Sequence, residues 1–224
     1  MLSLILAALF FIGIHLGISG TRLRDAAVAA LGQRGFTGLF SLATLAGLAW
    51  LIFAYNRAPY LPTWGMLLWW RPVVILLMLP ATLLVVIGLM TPNPTSVAQE
   101  GRVGEAPAGI LRVTRHPFLT GVGIWALVHL IGNGDAASLM LFGALAIVAL
   151  AGTVSIDAKR RRQLGTAWDR FAAETSIVPF AAVAAGRNRF RPGEIGTGRW
   201  IAGLVVYALL LGAHGPVIGV PLLP

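Results

Sequence analysis

The chain has 224 residues, of which 57% are hydrophobic and only 11% are charged, and its mean hydropathy is +0.82. A soluble domain of this size carries closer to a quarter charged residues, so this composition excludes an ordinary soluble globular protein. The net charge of +9 is typical of a membrane protein with basic cytoplasmic loops, and it indicates the lipid bilayer, not nucleic acid, as the partner.

Six apolar runs follow one another along the chain, and each predicts a membrane-spanning helix. The first run lacks the charged start and the cleavage site of a signal peptide, so we expect it to be retained. The sequence therefore predicts an all-α fold, a polytopic transmembrane bundle of about six helices forming a single membrane domain over residues 1–224. The predicted spans are Leu2–Ser19, Phe36–Tyr55, Pro72–Met90, Pro117–Ile131, Ala136–Ile156 and Trp200–Leu211.

One sizeable extramembrane segment, Asp157–Arg199, is predicted to be cytoplasmic and basic. Its first half, Asp157–Glu174, has the pattern of a charged amphipathic helix with Leu164, Trp168 and Phe171 on one face. Such a face is typical of a helix that lies on the membrane surface or against a partner.

The basic residues predict the orientation of the chain. With the N-terminus outside, fifteen of the seventeen lysines and arginines fall in inside loops, and only Arg57 and Arg71 lie outside. Because cytoplasmic loops carry the excess of basic residues, the pattern favours an N-terminus outside the bacterial cytoplasmic (inner) membrane.

Four histidines are the candidates for metal or proton chemistry, since the absence of cysteine excludes thiolate ligands and iron–sulfur clusters. His15 and His129 lie inside the first and fourth predicted helices, where an imidazole costs free energy unless it is paired or ligated. Two histidines on facing helices, with no thiol, form the ligand set of a low-spin haem b. A hydrogen bond between helices would explain either histidine equally well.

The other two histidines lie nearer the membrane surfaces. His116 opens the fourth helix between Arg115 and Pro117, which predicts a position at the interface. His116 and His129 are thirteen positions apart, so the two side chains of one helix cannot bind a single metal ion. His214 lies near the outer edge of the last run, where water can reach it.

Arginines on the cytoplasmic side are candidate partners for the carboxylates of haem. Arg22 and Arg24 follow the first helix, and Arg112 and Arg115 precede the fourth. The positive-inside rule accounts for the same arginines without any cofactor.

A shared pattern runs from Gly13 to His15 in the first helix, through Arg112 to Pro117, to Val128 and His129 in the fourth helix. It resembles the pattern of the NnrU family of bacterial membrane proteins, which is linked to nitrite and nitric oxide respiration and is similar to zeta-carotene isomerase, a haem b membrane enzyme. The resemblance implies haem b as cofactor and His15 and His129 as its iron ligands. His116, the histidine of the Arg-His-Pro motif, is a further candidate for cofactor binding, as a contact to a haem carboxylate. A cysteine that the isomerase carries near its second ligand is replaced here by Ala126, so a thiolate switch cannot operate. The matching residues are Gly13 to His15, Arg112 to Pro117, Gly121, Trp125, Val128, His129, Gly132, Asn133, Lys159 to Arg162, Gly165, Trp168, Thr175, Ser176, Pro179 and Phe180.

A second, shorter resemblance concerns Arg115, His116, Pro117 and Gly121. This spacing also occurs in membrane methyltransferases of the isoprenylcysteine type, where it helps to bind S-adenosylmethionine. The paired glutamates of those enzymes are missing from the corresponding later region, residues 157–162.

Four functional hypotheses follow. The first is a haem b protein of denitrification that acts as a redox, nitric oxide-sensing or haem-handling factor. The second is a haem-dependent cis–trans isomerase of a carotenoid or another lipophilic polyene. The third is a membrane methyltransferase, and the fourth is a scaffold in which His15 and His129 only hold helices together.

Overall fold

The structure, a computed structural model, describes residues 1–222, and this part of the chain is helical with no β-strand. Two π-helical segments, Gly13–Ser19 and His214–Ile218, continue α1 and α8. Short 3-10 segments occupy the connections. The α-helices are α1 (Leu2–Ile12), α2 (Arg22–Asn56), α3 (Arg71–Leu89), α4 (Pro117–Asn133), α5 (Ala136–Leu164), α6 (Thr166–Glu174), α7 (Ala181–Ala184) and α8 (Thr197–Ala213).

Five helical segments of the described chain are long and apolar enough to cross a membrane. The shorter apolar helix α4 coincides with the remaining predicted span, and its 17 residues match the lower limit for crossing the hydrocarbon core. The predicted all-α transmembrane bundle is confirmed, whereas the orientation remains a prediction. The five segments are Leu2–Ser19, Arg22–Asn56, Leu68–Leu89, Ala136–Leu164 and Thr197–Ile218.

Two glycines divide helical stretches of the chain. Residues Arg22–Asn56 form two helical stretches that meet at Gly32, where a φ of 72° changes the direction of the chain, and the predicted span from Phe36 lies in the second stretch. The predicted amphipathic helix from Asp157 to Glu174 is two helices, because Gly165, with φ 53°, separates the end of α5 from α6.

The chain packs as two compact units. The first comprises residues 1–68 with 126–155, and the second comprises residues 69–125 with 156–222. The prediction of a single membrane domain over residues 1–224 remains a prediction.

In the first unit, α1 packs against α2 at a glycine. A Cβ at Gly47 would lie 2.9 Å from the ring of Phe10, so this position requires the absence of a side chain. At the start of α1, the Trp50 indole donates a hydrogen bond of 3.0 Å to Ser3 Oγ. Close approach and a polar contact together hold the first two helices side by side.

In the second unit, α3 is the central packing element. The Tyr207 hydroxyl of α8 donates a hydrogen bond of 2.9 Å to the carbonyl of Ile75, and Gly203 lies against Leu83. On another side of α3, Gly121 of α4 lies against the backbone of Ala81.

Helix α6 closes the core of the second unit and does not lie free on the membrane surface. Trp168 is fully buried and Phe171 is 3% exposed, and they pack with Leu111 and Ile195. The predicted role of this apolar face in binding a membrane surface or a partner is therefore wrong, because the face is covered by the chain's own residues.

The close approach of α3 and α4 yields a test of this packing. A Cβ at Gly121 would lie 2.5 Å from the carbonyl oxygen of Ala81, so we expect Gly121→Ala to lower the free energy of unfolding by about 1–3 kcal/mol. Gly38→Ala in α2 is the matched control, because that Cβ meets nothing within 4 Å, and a neutral or slightly stabilising effect is expected. Unfolding by SDS in mixed micelles measures both variants, and equal stabilities would contradict the described packing.

Candidate functional site

His15 lies in the π-helical segment Gly13–Ser19, within the first unit. Its Nδ1 is 2.7 Å from the carbonyl oxygen of Phe11, which can only accept a hydrogen bond, so Nδ1 carries the proton and Nε2 carries the lone pair. The imidazole centroid is 4.4 Å from the ring of Phe11 and 5.5 Å from that of Phe40. When neutral, His15 is thus held in one tautomer among aromatic rings.

The aromatic contacts continue from His15 towards the start of α2. Phe40 stacks on Phe36 with ring centroids 5.7 Å apart, and the guanidinium of Arg24 lies 5.5 Å from the Phe36 centroid. We call His15, Phe11, Phe40 and Phe36 the His15 cluster. A series of ring contacts therefore runs from His15, the candidate iron ligand, to the guanidinium of Arg24.

His129 also lies in the first unit, on α4. Its imidazole stacks on Phe142 of α5 with centroids 5.2 Å apart, and Tyr55 of α2 meets the same phenyl ring edge-on at 6.4 Å. One helical turn before it, Ala126 is fully buried. The joint binding of one haem by His15 and His129 remains a prediction.

His116 lies in the second unit, directly before α4, and is 2% exposed. Its Nε2 is 2.7 Å from Asp157 Oδ1, and the other carboxylate oxygen of Asp157 accepts hydrogen bonds from Arg115 Nε (2.8 Å) and Nη2 (2.7 Å). Arg115 also donates to Thr175 Oγ1 at 3.3 Å. The predicted interface histidine is therefore buried, and Asp157 of α5 supplies the hydrogen-bond partner of its Nε2.

The remaining ring nitrogen of His116, Nδ1, has no hydrogen-bond partner within residues 1–222. Burial lowers the pKa of His116, and the hydrogen bond to Asp157 opposes that effect without outweighing it. A neutral ring that donates Nε2–H to a carboxylate carries its lone pair on Nδ1. Nδ1 of His116 can therefore accept a proton or a hydrogen bond.

Asp157 is the site residue that sequence reasoning missed. The sequence places it at the start of the basic extramembrane segment, yet its side chain is only 12% exposed. A signal was present in the predicted topology, because the start of the fourth helix and the end of the fifth both face the cytoplasm. A carboxylate at the end of an apolar run, level with Arg115 and His116, predicts an ion pair.

Two of the four arginines predicted as partners of haem carboxylates, Arg112 and Arg115, already have carboxylate partners in the second unit. Arg115 is paired with Asp157, and Arg112 makes a forked contact with Glu194 through Nε (2.6 Å) and Nη2 (3.1 Å). Arg22 is exposed. Contacts of these three arginines with haem carboxylates remain predictions, and Arg112 and Arg115 would first have to leave their carboxylates.

The pairing of Arg112 with Glu194 predicts a pH-dependent stability. Hydrogen bonds from Arg112 and from the Gly109 amide lower the pKa of Glu194 to about 2. Because the lowered value belongs to the folded state, the stabilisation is present above the ordinary pKa near 4.5 and is lost as the pH falls towards 2. We expect wild type to be more stable than Glu194→Gln at pH 7, with a difference that shrinks below pH 4. Thermal unfolding in detergent measures this, and a constant difference would contradict it.

Residues 1–222 contain no group of three or more His, Cys, Asp or Glu side chains that could hold a metal ion. His214 lies in the second π-helical segment, with Nδ1 2.7 Å from the carbonyl of Val220.

The family comparison agrees with the resemblance seen in the sequence. Residues 3–222 match the family described as NnrU protein. The chain belongs to the NnrU family. It is a membrane protein with at least five helices that can span a bilayer.

Curated relatives of this NnrU-family chain are plant enzymes. It is 33% identical over 81 residues to the chloroplastic 15-cis-zeta-carotene isomerase of Zea mays, and 37% identical over 84 residues to that of Arabidopsis thaliana. Each match covers 36% of this chain and 22% of the relative, so the chain spans about a fifth of the length of these relatives. No solved structure matches the chain.

Each residue of the Arg-His-Pro motif in this NnrU-family chain has a structural role. Arg115 and His116 bind Asp157, Pro117 is the first residue of α4, and Gly121 allows the approach to α3. These roles explain the motif without S-adenosylmethionine. The methyltransferase hypothesis remains a prediction with no further support.

Proposed function

We propose that this NnrU-family chain binds haem b between membrane helices of the bacterial inner membrane, with His15 and His129 as its iron ligands. The observation that carries the proposal is the hydrogen bond from His15 Nδ1 to the Phe11 carbonyl. Histidines that ligate a metal almost always donate their other ring N–H to a carbonyl or carboxylate, which orients the ring and leaves the second nitrogen for the metal.

The residues around both histidines fit a flat apolar cofactor. Phe11, Phe36 and Phe40 line the His15 side, and Phe142 stacks on His129. Aromatic rings supply apolar area and exclude water from a macrocycle. Haem requires only two axial ligands, which suits a chain whose described residues form no larger metal cluster.

When bound, haem iron would supply a redox centre or an electrophile, with His15 and His129 as the residues that hold it. The chain's own residues orient the two histidines. Phe11 fixes the tautomer of His15 through its carbonyl, and Phe142 fixes the plane of the His129 ring. The surrounding apolar helices limit access to lipophilic molecules and small gases.

The activity that we put first is the cis–trans isomerisation of a carotenoid-like polyene. It is supported by the two plant isomerases among the curated relatives. A polyene dissolves in the bilayer and can enter sideways between helices, which agrees with a site among membrane-spanning segments.

The second candidate is a redox, sensing or haem-handling role in nitrite and nitric oxide respiration. Its specific support is Ala126, which cannot supply the thiolate of the isomerase. Nitric oxide is small and apolar enough to reach a haem enclosed by helices.

Two assays on one sample test the proposal. Protein loaded with haem b is reduced, mixed with a 15-cis polyene in micelles, and followed by chromatographic separation of the isomers. In parallel, nitric oxide is titrated and the Soret band is recorded. We expect wild type to convert the polyene and His15→Ala not to. A nitric oxide response without conversion would favour the second candidate, and neither response would contradict both.

A further inference from the structure

Arg24 is a buried cation near the start of α2, in the part of the helix that precedes the kink at Gly32. It is 8% exposed, although it lies only two residues from the first residue of a membrane-spanning helix. Burying a guanidinium costs free energy unless an anion or several hydrogen bonds compensate it. Its surroundings must therefore supply that compensation.

The chain supplies little negative charge to Arg24. The neutral side chain of Gln33 accepts a hydrogen bond of 3.0 Å from Nη2. The neighbouring carboxylate, Asp25, lies 3.5 Å from Nη1 and is 55% exposed. A solvated carboxylate at this distance compensates a buried cation poorly. Arg24 thus differs from Arg112 and Arg115, whose carboxylate partners make hydrogen bonds of 2.6–2.8 Å.

Arg24 also adjoins the His15 cluster. Its guanidinium packs on Phe36, which stacks on Phe40, which in turn meets the imidazole of His15. Phe36 and Phe40 are one helical turn apart, so they lie on the same face of α2. A molecule held by His15 along this aromatic face would have its edge towards Arg24.

We infer that Arg24 binds a carboxylate of the haem held by His15, and that it, and not Arg112 or Arg115, is the main anchor for the cofactor's charged edge. The inference rests on the proposed function. Haem carries its carboxylates on one edge, and an arginine fork is the side chain best suited to a buried carboxylate. In the haem-bound protein the carboxylate neutralises the charge of the Arg24 guanidinium. The apolar face of α2 then contacts the porphyrin ring.

The test compares haem b with its dimethyl ester, which lacks the negative charges. Transfer of each haem from the full-length protein in detergent to apomyoglobin measures the rate of loss. For haem b, Arg24→Gln is expected to lose the cofactor about tenfold faster than wild type, as the removal of a charged hydrogen bond predicts. For the ester, wild type and Arg24→Gln should lose it at the same rate. Arg34→Gln, an exposed arginine of the same helix, should match wild type with both haems.

Several outcomes would overturn the inference. Equal rates for wild type and Arg24→Gln with haem b would show that Arg24 is not the anchor. Faster loss of the ester as well would assign Arg24 a purely structural role, and faster loss from Arg22→Gln alone would transfer the role to Arg22. Arg24→Lys keeps the charge, so an intermediate rate with haem b is expected even where Arg24→Gln folds poorly. Wild type that binds neither haem would contradict the proposed function itself.

Discussion

Replacing Asp157 with asparagine is expected to lower the free energy of unfolding by about 3–5 kcal/mol, because it leaves a buried cation without its counter-charge. The side chains of Asp157 and Arg115 are each 12% exposed, and the carboxylate also accepts the hydrogen bond of the fully enclosed His116. Asparagine retains an oxygen for one of these contacts but loses the negative charge. Arg115 then remains among α4, α5 and α6 with no carboxylate to neutralise it.

Asp169→Asn is the matched control for this substitution. It also breaks an aspartate–arginine pair, with Arg161 at 2.9 Å, but both side chains are more than half exposed. Exposed pairs of this kind contribute between zero and about 1 kcal/mol. Unfolding by SDS in mixed micelles compares the two variants with wild type. A similar small loss of stability in both variants would show that the contacts of Asp157 with Arg115 and His116 do not hold the second unit together.

His15→Ala is expected to abolish haem binding, because it removes the imidazole whose Nε2 lone pair the Phe11 carbonyl leaves available. His214→Ala is a close control, since that histidine also lies in a π-helical segment and also has Nδ1 2.7 Å from a backbone carbonyl. Haem content per protein after purification, from the pyridine haemochrome, measures the effect. We expect near-complete loss for His15→Ala and the wild-type value for His214→Ala.

The opposite pattern would be equally informative. Loss of haem from His214→Ala with retention by His15→Ala would move the cofactor to the last helix. His129→Ala should behave like His15→Ala, since either change removes one of the two predicted axial ligands. Retention of haem by both variants would contradict ligation by this pair.

The membrane-spanning helices were predictable because the physics of the bilayer is simple. A run of about twenty apolar residues crosses the hydrocarbon core, and the backbone must satisfy its own hydrogen bonds there. Local backbone geometry was not predictable from hydropathy. The kink at Gly32 and the break at Gly165 depend on positive φ values, which glycine permits but does not require.

The candidate site was predicted only in part, since its residues were visible but their partners were not. His15, His116 and His129 were identified because a polar ring near or inside an apolar helix is costly. The pairing of Asp157 with Arg115 and His116 depends on the contact between distant segments, which residue type alone does not reveal. The burial of Trp168 was missed for a similar reason, because an amphipathic face has the same pattern whether it meets lipid or protein.

A reduced-minus-oxidised absorbance spectrum of the purified wild-type protein tests the central claim most directly. Expression with ample haem, followed by a pyridine haemochrome assay on the same sample, gives the stoichiometry. Binding by His15 and His129 predicts sharp alpha and Soret bands of a low-spin haem b at close to one haem per chain. A folded but colourless protein from the same preparation would contradict haem binding and leave the two histidines as contacts between helices.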